Sequence, residues 1–253
     1  MLNVIDYPAQ EAPTKPALVI AHGLFGSGRN WGVIAKRLSQ DRRVLCVDMR
    51  NHAGSFWSDD MSYPAMAGDL TEVLETLGGA DLLGHSMGGK ASMVAALSGA
   101  PIRRLIVADI APVAYTHTQM HLIDAMEALD LAGLSTRGAA DARLAQTVED
   151  RTVRAFLLQS LDLKAGAWRL NLAALRAQMP EILGFPEVTS VFQNPTLFLS
   201  GALSDYVSPA SRPRMKELFP RGRYVKMNGV GHWLHAENPR SFETATRTFL
   251  DAA

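Results

Sequence analysis

Residues Gly84-His85-Ser86-Met87-Gly88 place a geometric demand on the chain that few folds can meet. The apolar run Ala80-Asp81-Leu82-Leu83 before them has a strand's length. The stretch 88–97 after them, with Ala91, Met93, Val94, Ala96 and Leu97, reads as a buried helix. A chain that passes from buried strand to buried helix this quickly must turn sharply. The flanking glycines leave the space that a Cβ would fill. A serine on such a turn projects its hydroxyl above the sheet, where a substrate carbonyl can reach it. The pentapeptide gains its meaning from the strand before it and the helix after it.

The same alternation runs through most of the chain. Apolar runs at Pro16–Ala21, Arg43–Asp48, Arg104–Asp109, Pro195–Ser200 and Arg223–Met227 predict further strands. Helical spacing fills the gaps, over 30–38, from Ser62-Tyr63-Pro64 to about Leu77, after Ser208-Pro209, and from Arg240 to Leu250. Strands apolar on both faces, alternating with helices, predict an α/β fold with a mostly parallel central sheet flanked by helices.

One stretch breaks the rhythm. Between Val113 and Gly184 no strand is predicted, and the spacing is helical over 119–131, 137–144, 152–158 and 168–179. This divides the chain into a core, residues 1–112 and 185–253, and an inserted helical cap, residues 113–184. An insertion directly after a strand ending in Asp109 would sit as a lid above the C-terminal sheet edge, where open α/β sheets bind ligands.

Composition narrows the class. Zero formal net charge and a pI near 7.1 argue against nucleic-acid or polybasic membrane partners. A lone Cys46 excludes an intrachain disulfide. There is no metal-type Cys/His spacing, so neither metal nor cofactor is expected. The N-terminal residues lack a signal-peptide pattern and no apolar run reaches the roughly 20 residues of a membrane span, so a cytoplasmic protein is expected.

A serine hydroxyl is a poor nucleophile at neutral pH and needs a base. Seven histidines are available. His22 and His85 sit inside glycine turns as structural residues. His52 lies in a loop after a strand without an obvious orienting partner, His117 and His121 fall at the start of the lid, and His235 leads into the last helix. His232 follows the last predicted strand in the glycine-flanked loop Asn228-Gly229-Val230-Gly231-His232-Trp233, at the sheet edge that also carries Ser86. That makes His232 the candidate base. The base needs a carboxylate to hold its tautomer. Asp109 and Asp205 both follow predicted strands, and on residue pattern alone they stand level. Oxyanion donors are expected from the backbone N–H of Met87 and from the loop His22-Gly23-Leu24-Phe25-Gly26, with Leu24 preferred and Phe25 second. The glycines of that loop do not form a phosphate-binding motif.

Taken together, His22-Gly23-Leu24-Phe25-Gly26-Ser27, Asp48-Met49-Arg50-Asn51-His52, Gly84–Lys90, Asp109-Ile110-Ala111-Pro112-Val113 and Gly231-His232-Trp233-Leu234-His235-Ala236-Glu237 resemble the small α/β-hydrolase esterases of the YbfF type. The resemblance spans nearly the whole chain. It implies an α/β-hydrolase fold with a helical cap and a serine esterase that acts without cofactor on carboxylic esters, of short to medium acyl length, or on thioesters. It puts Ser86 and His232 in a catalytic triad. It also tilts the acid toward Asp109, because the family often carries no aspartate after the penultimate strand. This chain departs in having Ser204-Asp205, which keeps Asp205 as a competing acid. Arg50, Asn51 and His52 are expected to brace the loop beside the oxyanion site, with Arg50 paired to Asp48. Of the aromatics Phe25, Trp57, Tyr115, Tyr206 and Trp233, the pocket is expected to use Phe25, Tyr115 and Trp233. The alternatives are an acyl-CoA thioesterase using the same residues and a non-enzymatic ligand receptor on a hydrolase scaffold.

Overall fold

The computed structural model describes residues 1–252. Its centre is a seven-stranded sheet in the order β1-β3-β2-β4-β5-β8-β9. The strands are β1 (Asn3–Tyr7), β2 (Leu18–Ala21), β3 (Val44–Asp48), β4 (Ala80–His85), β5 (Ile102–Ala108), β8 (Thr196–Gly201) and β9 (Gly222–Met227). All pairings are parallel except β1 with β3. Strands β2, β3, β4 and β8 are fully buried, and their side chains split between the two faces. In β2, Leu18 and Ile20 face one apolar cluster while Val19 and Ala21 face the other. In β3, Val44 and Cys46 divide from Leu45 and Val47 in the same way. Burial pushes the Cys46 thiol up to about 12, so it serves as a core side chain.

Helices cover both faces. On one side α1 (Gly32–Leu38) meets α11 (Pro239–Leu250), with Ile34, Leu38, Phe242 and Phe249 in the shared cluster. On the other side α2 (Tyr63–Thr76) meets α3 (Met87–Leu97) through Leu70, Val73, Met93 and Val94. Helix α2 starts where the sequence predicts, with Ser62 Oγ accepting from Ala65 N at 3.4 Å and Pro64 in the first turn. The chain leaves β2 toward β3 on one side and enters β4 on the other. That reversal opens a crevice between the β2 and β4 loops, at the carboxyl ends of the strands.

Between β5 and β8 runs a helical excursion of α4 (Met120–Ala128), α5 (Arg137–Leu144), α6 (Arg151–Leu157), α7 (Leu172–Ala177) and α8 (Met179–Leu183). Contrary to the expectation of no strand here, it holds a two-residue hairpin, β6 (Leu161–Asp162) with β7 (Ala167–Trp168). Residues 168–170 therefore precede the helix in which the spacing had placed them. Strand β1 is also new relative to the sequence reading, and the first helical region opens with a 3₁₀ turn over Gly28–Trp31. Ser208 makes no side-chain cap, and its helix likewise opens with a 3₁₀ turn, Pro209–Ser211, before α9 (Arg212–Leu218). Among the described residues no helix is long and apolar enough to cross a membrane.

The turn at Ser86 depends on how closely α3 lies on the sheet. A Cβ on Gly84 would collide with Gly88 O, and one on Gly88 with His22 O and, at 2.6 Å, with Ala21 O. Alanine ordinarily stabilises a helix by about 1 kcal/mol over glycine. Here the obstacle is backbone that cannot move aside, so the sign should reverse. Gly88→Ala is expected to cost about 1–3 kcal/mol, read as a lower urea midpoint.

Candidate active site

Ser86 sits between β4 and α3 with φ 52° and ψ −121°, a conformation that L-residues rarely adopt. Its backbone is held on both sides, Ser86 N donating to Ala108 O at 3.1 Å and Ser86 O accepting from Lys90 N at 3.0 Å. The strained turn lifts the half-buried side chain out of the sheet into the crevice.

His232 comes from the loop between β9 and α10 (Leu234–Glu237) and reaches the same crevice. Its Nδ1 donates to Asp109 Oδ2 at 2.7 Å, which leaves Nε2 as the acceptor nitrogen. Asp109 follows β5 with φ 53° and no solvent exposure. Its Oδ1 accepts from Gly201 N at 2.9 Å, and its Oδ2 also accepts from the Ser204 hydroxyl. Asp205 is exposed and makes no hydrogen bond to His232. Ser204, the neighbour of Asp205, is thus a donor to Asp109. The Tyr206 ring lies flat on the His232 imidazole, with centroids 4.0 Å apart and planes at 19°. Ser86 Oγ makes no hydrogen bond among the described residues. Such contacts are often long without substrate and tighten when it binds.

The remaining histidines near the crevice are buried and neutral. Carbonyls can only accept and amides only donate, so the backbone around each ring assigns its tautomer. His22 Nδ1 donates to Gly23 O at 2.8 Å and Nε2 accepts from Met49 N at 2.9 Å. His52 Nδ1 donates to Arg50 O at 2.8 Å and Nε2 accepts from Phe25 N at 3.1 Å. His85 Nε2 donates to His232 O at 2.9 Å. Burial lowers the basicity of all three, His52 to about 3, and it takes His235, stacked 4.0 Å from Trp31, to about 3 as well. His117 stacks edge-on against Tyr206, and His121 lies on exposed α4 surface.

These bonds decide which amides remain for an oxyanion. Phe25 N is consumed by His52. Leu24 N and Met87 N carry no hydrogen bond to a protein acceptor among the described residues. The Asp48-to-His52 stretch braces this loop, but not through the expected pair. Asp48 accepts from Gly28 N at 2.8 Å, Asn3 Nδ2 at 2.7 Å and Gly54 N at 3.0 Å. Arg50 instead forks onto Asp69 of α2 at 2.6 and 2.9 Å. The chain turns after β3, which carries the guanidinium away from Asp48 and toward the helix.

Two chambers meet at Ser86. A cavity of about 280 Å³ is walled by Leu24, Phe25, Leu122, Val153, Phe156 and Trp233, with His232 at its side. A smaller one of about 50 Å³ runs past Met87 to Lys90, Tyr63 and Tyr115. Phe25 and Trp233 thus line the main cavity. Tyr115 lines the small chamber, with its hydroxyl donating to Tyr206 O at 2.7 Å and accepting from Ala111 N at 2.9 Å. Trp57 is 60% exposed and lies elsewhere. The lining from α4 and α6 escaped the sequence reading, since those residues look like any helix's apolar face. Among the described residues no group of three or more His, Cys, Asp or Glu side chains gathers as for a metal.

Residues 18–245 match the model of the alpha/beta hydrolase family. The chain is 41% identical to an sn-1-specific diacylglycerol lipase ABHD11 of Danio rerio, covering 98% of this chain and 81% of that protein. It is 39% identical to the esterase YbfF of Escherichia coli strain K12, over 99% of each. Among solved structures, a marine microorganism esterase superposes with a TM-score of 0.89 at 34% identity, covering 98% of this chain and all of the other.

Lys90 is the residue here whose importance the sequence hid. It is 1% exposed and has no acidic partner among the described residues. Its Nζ donates to Leu183 O at 2.9 Å and Gly184 O at 2.6 Å and lies 4.6 Å from the Tyr115 ring centre. It therefore fastens the helix behind Ser86 to the end of the helical excursion. Burial pushes its amine down to about 7 from 10.5. The unfolded chain keeps a proton that the folded protein has released between those values, so this group's contribution makes stability rise with pH from about 7 toward 10.5. Lys90→Met should lose that rise, seen by comparing urea midpoints of the two proteins at successive pH values from neutral upward.

Proposed function

The chain belongs to the alpha/beta hydrolase family and is an ester-cleaving serine hydrolase, and from that premise we propose that Ser86, His232 and Asp109 form its catalytic triad. The observation that carries this reading is the 2.7 Å bond from His232 Nδ1 to a carboxylate wholly shielded from water. It leaves Nε2 free to take the Ser86 proton as Oγ attacks the acyl carbon. The amides of Leu24 and Met87 receive the negative charge that develops on the carbonyl oxygen, each worth about 3 kcal/mol to the transition state. As the tetrahedral intermediate collapses, the acyl–oxygen bond breaks and His232 returns the proton to the leaving alkoxide. Water then adds to the acyl-enzyme by the same route, releasing the carboxylic acid and restoring the Ser86 hydroxyl.

Asp109 stabilises the imidazolium formed in each half-reaction without itself becoming protonated. Ser204 and Gly201 N fix that carboxylate. The helical excursion acts as a cap, because α4 and α6 supply Leu122, Val153 and Phe156 to the cavity wall. At about 280 Å³ the cavity is just below the ~300–1,000 Å³ usual for ligand sites, which favours short to medium acyl esters.

Three measurements test this reading. Ser86→Ala should lower kcat/KM on p-nitrophenyl butyrate by about 10⁴ or more while the unfolding midpoint is retained. Turnover near the wild-type rate would sink the nucleophile assignment. Asp109→Asn should lower kcat by about 10⁴, whereas Asp205→Asn should stay within about twofold, as exposed unpaired positions do. The reverse order would move the acid to Asp205. Across p-nitrophenyl esters of increasing chain length, kcat/KM should peak at short to medium chains and fall by the palmitate.

A further inference from the structure

Three arginines converge on a surface groove of about 200 Å³ beside the candidate active site. Arg29 comes from the 3₁₀ turn after the oxyanion loop, Arg137 from the start of α5, and Arg169 from just beyond β7. All three are exposed, and none is paired with a carboxylate among the described residues. Some other surface arginines find acids, while Arg151, Arg221, Arg223 and Arg240 are exposed without one among the described residues. Arg43 forks onto Asp6, Arg154 reaches Asp141, and Arg176 bridges Asp124 and Glu127. The groove's single acid, Asp162, has one oxygen taken up by the amides of Lys164 at 3.1 Å and Ala165 at 3.0 Å. Three guanidinium groups facing one space repel each other unless an anion joins them.

The groove is structurally joined to the site. Asn30 lines the catalytic cavity, and its Nδ2 donates at 2.5 Å to Oε1 of Gln159, which lines the groove. Ser160 Oγ donates to Phe25 O at 3.0 Å, and Arg169 N donates to Ser160 O at 2.8 Å, so the groove's floor is bound to the oxyanion loop itself. A substrate with its acyl carbon at Ser86 and a long leaving group crossing the Asn30–Gln159 seam would bring that group's far end among the arginines.

We propose that the Arg29–Arg137–Arg169 groove binds a phosphate group carried by the leaving group of the substrate. The inference rests on the esterase reading of Ser86. Phosphate suits the groove better than a carboxylate, since its oxygens point in several directions and can accept from guanidinium forks approaching from different elements. Two substrate types carry such a phosphate, a thioester such as an acyl-coenzyme A and a phosphorylated glycerolipid. The chemistry at Ser86 is the same for both, with the acyl bond to sulfur or oxygen broken and the proton given to the departing thiol or alcohol.

The test compares wild type with the triple variant R29Q/R137Q/R169Q on two matched pairs. One pair is butyryl-coenzyme A against butyryl-N-acetylcysteamine, and the other is a lysophosphatidic acid against the monoacylglycerol of the same chain. Wild type should show a KM lower by about tenfold or more for the phosphate-bearing member of one pair, and which pair responds identifies the source. The triple variant should lose that preference, and rising salt should erode it in wild type, because exposed charges are screened over about 10 Å at 0.1 M. Both proteins should hydrolyse p-nitrophenyl butyrate equally, which also shows that the variant is folded. Equal KM within both pairs for wild type, or a preference that survives in the triple variant, overturns the proposal. Loss of p-nitrophenyl butyrate turnover in wild type would instead overturn the esterase reading.

Discussion

A carboxylate that water cannot reach holds the working edge of this protein together. Asp109 follows β5 in a left-handed conformation and gathers Gly201 N from β8, the Ser204 hydroxyl from the loop beyond it, and the His232 imidazole from the loop after β9. A buried charge with fewer partners would be costly. With these three donors it draws the loops of three neighbouring strands to one point. The sheet's parallel order makes this possible, because β5, β8 and β9 are adjacent and all present their carboxyl ends on the same side. The strained turn at Ser86 projects over that edge from β4, the next strand along.

The histidines around the site follow a consistent electrostatic logic. His22, His52, His85 and His235 are stripped of charge by burial, while His232 keeps 20% of its side chain accessible. His85 lies 4.7 Å from the His232 ring. A second positive charge there would oppose an imidazolium on His232 and weaken its pull on Asp109. As neutral rings, His22, His52 and His85 serve as rigid hydrogen-bonding struts, while His235 packs against Trp31. His52 occupies the Phe25 amide and so selects which N–H groups of the loop stay available.

What could be read from the chain alone follows from the range of each interaction. Strands such as Leu18–Ala21 are apolar on both faces, so burial writes itself into consecutive residues, and the turn chemistry around Ser86 is local to a few residues. Strand β1 was hidden because Asn3–Tyr7 mixes polar and apolar side chains and exists only by antiparallel pairing with β3. Asp109 and Asp205 looked alike because each follows a strand; the contact that separates them spans 123 residues. Arg50 looked like a partner for Asp48 because they are close in sequence, yet the bend after β3 delivers it to Asp69. Lys90 was visible only as one more residue of a glycine-rich motif. Its significance lies in two carbonyls more than ninety residues on.

The helical excursion is tied to the core too firmly to swing as one body. Lys90 holds its exit at Leu183 and Gly184, Tyr63 Oη donates to Ile182 O at 2.7 Å, Ser160 holds Phe25, and Ala53 N donates to Arg169 O at 2.7 Å. These clasps lie on the segments from 158 to 184, whereas Leu122, Val153 and Phe156, which face the cavity, belong to α4 and α6 before them. Helix α4 is itself fastened to that second half of the excursion, with Trp168 Nε1 donating to Met126 O at 2.8 Å and Arg176 reaching Asp124 and Glu127. The anchored half holds the loop after β2 in place through Ser160, whose hydroxyl donates to Phe25 O. Such bracing matters for any amide of that loop that is to meet a developing charge, since donors act only if they are already positioned when it forms.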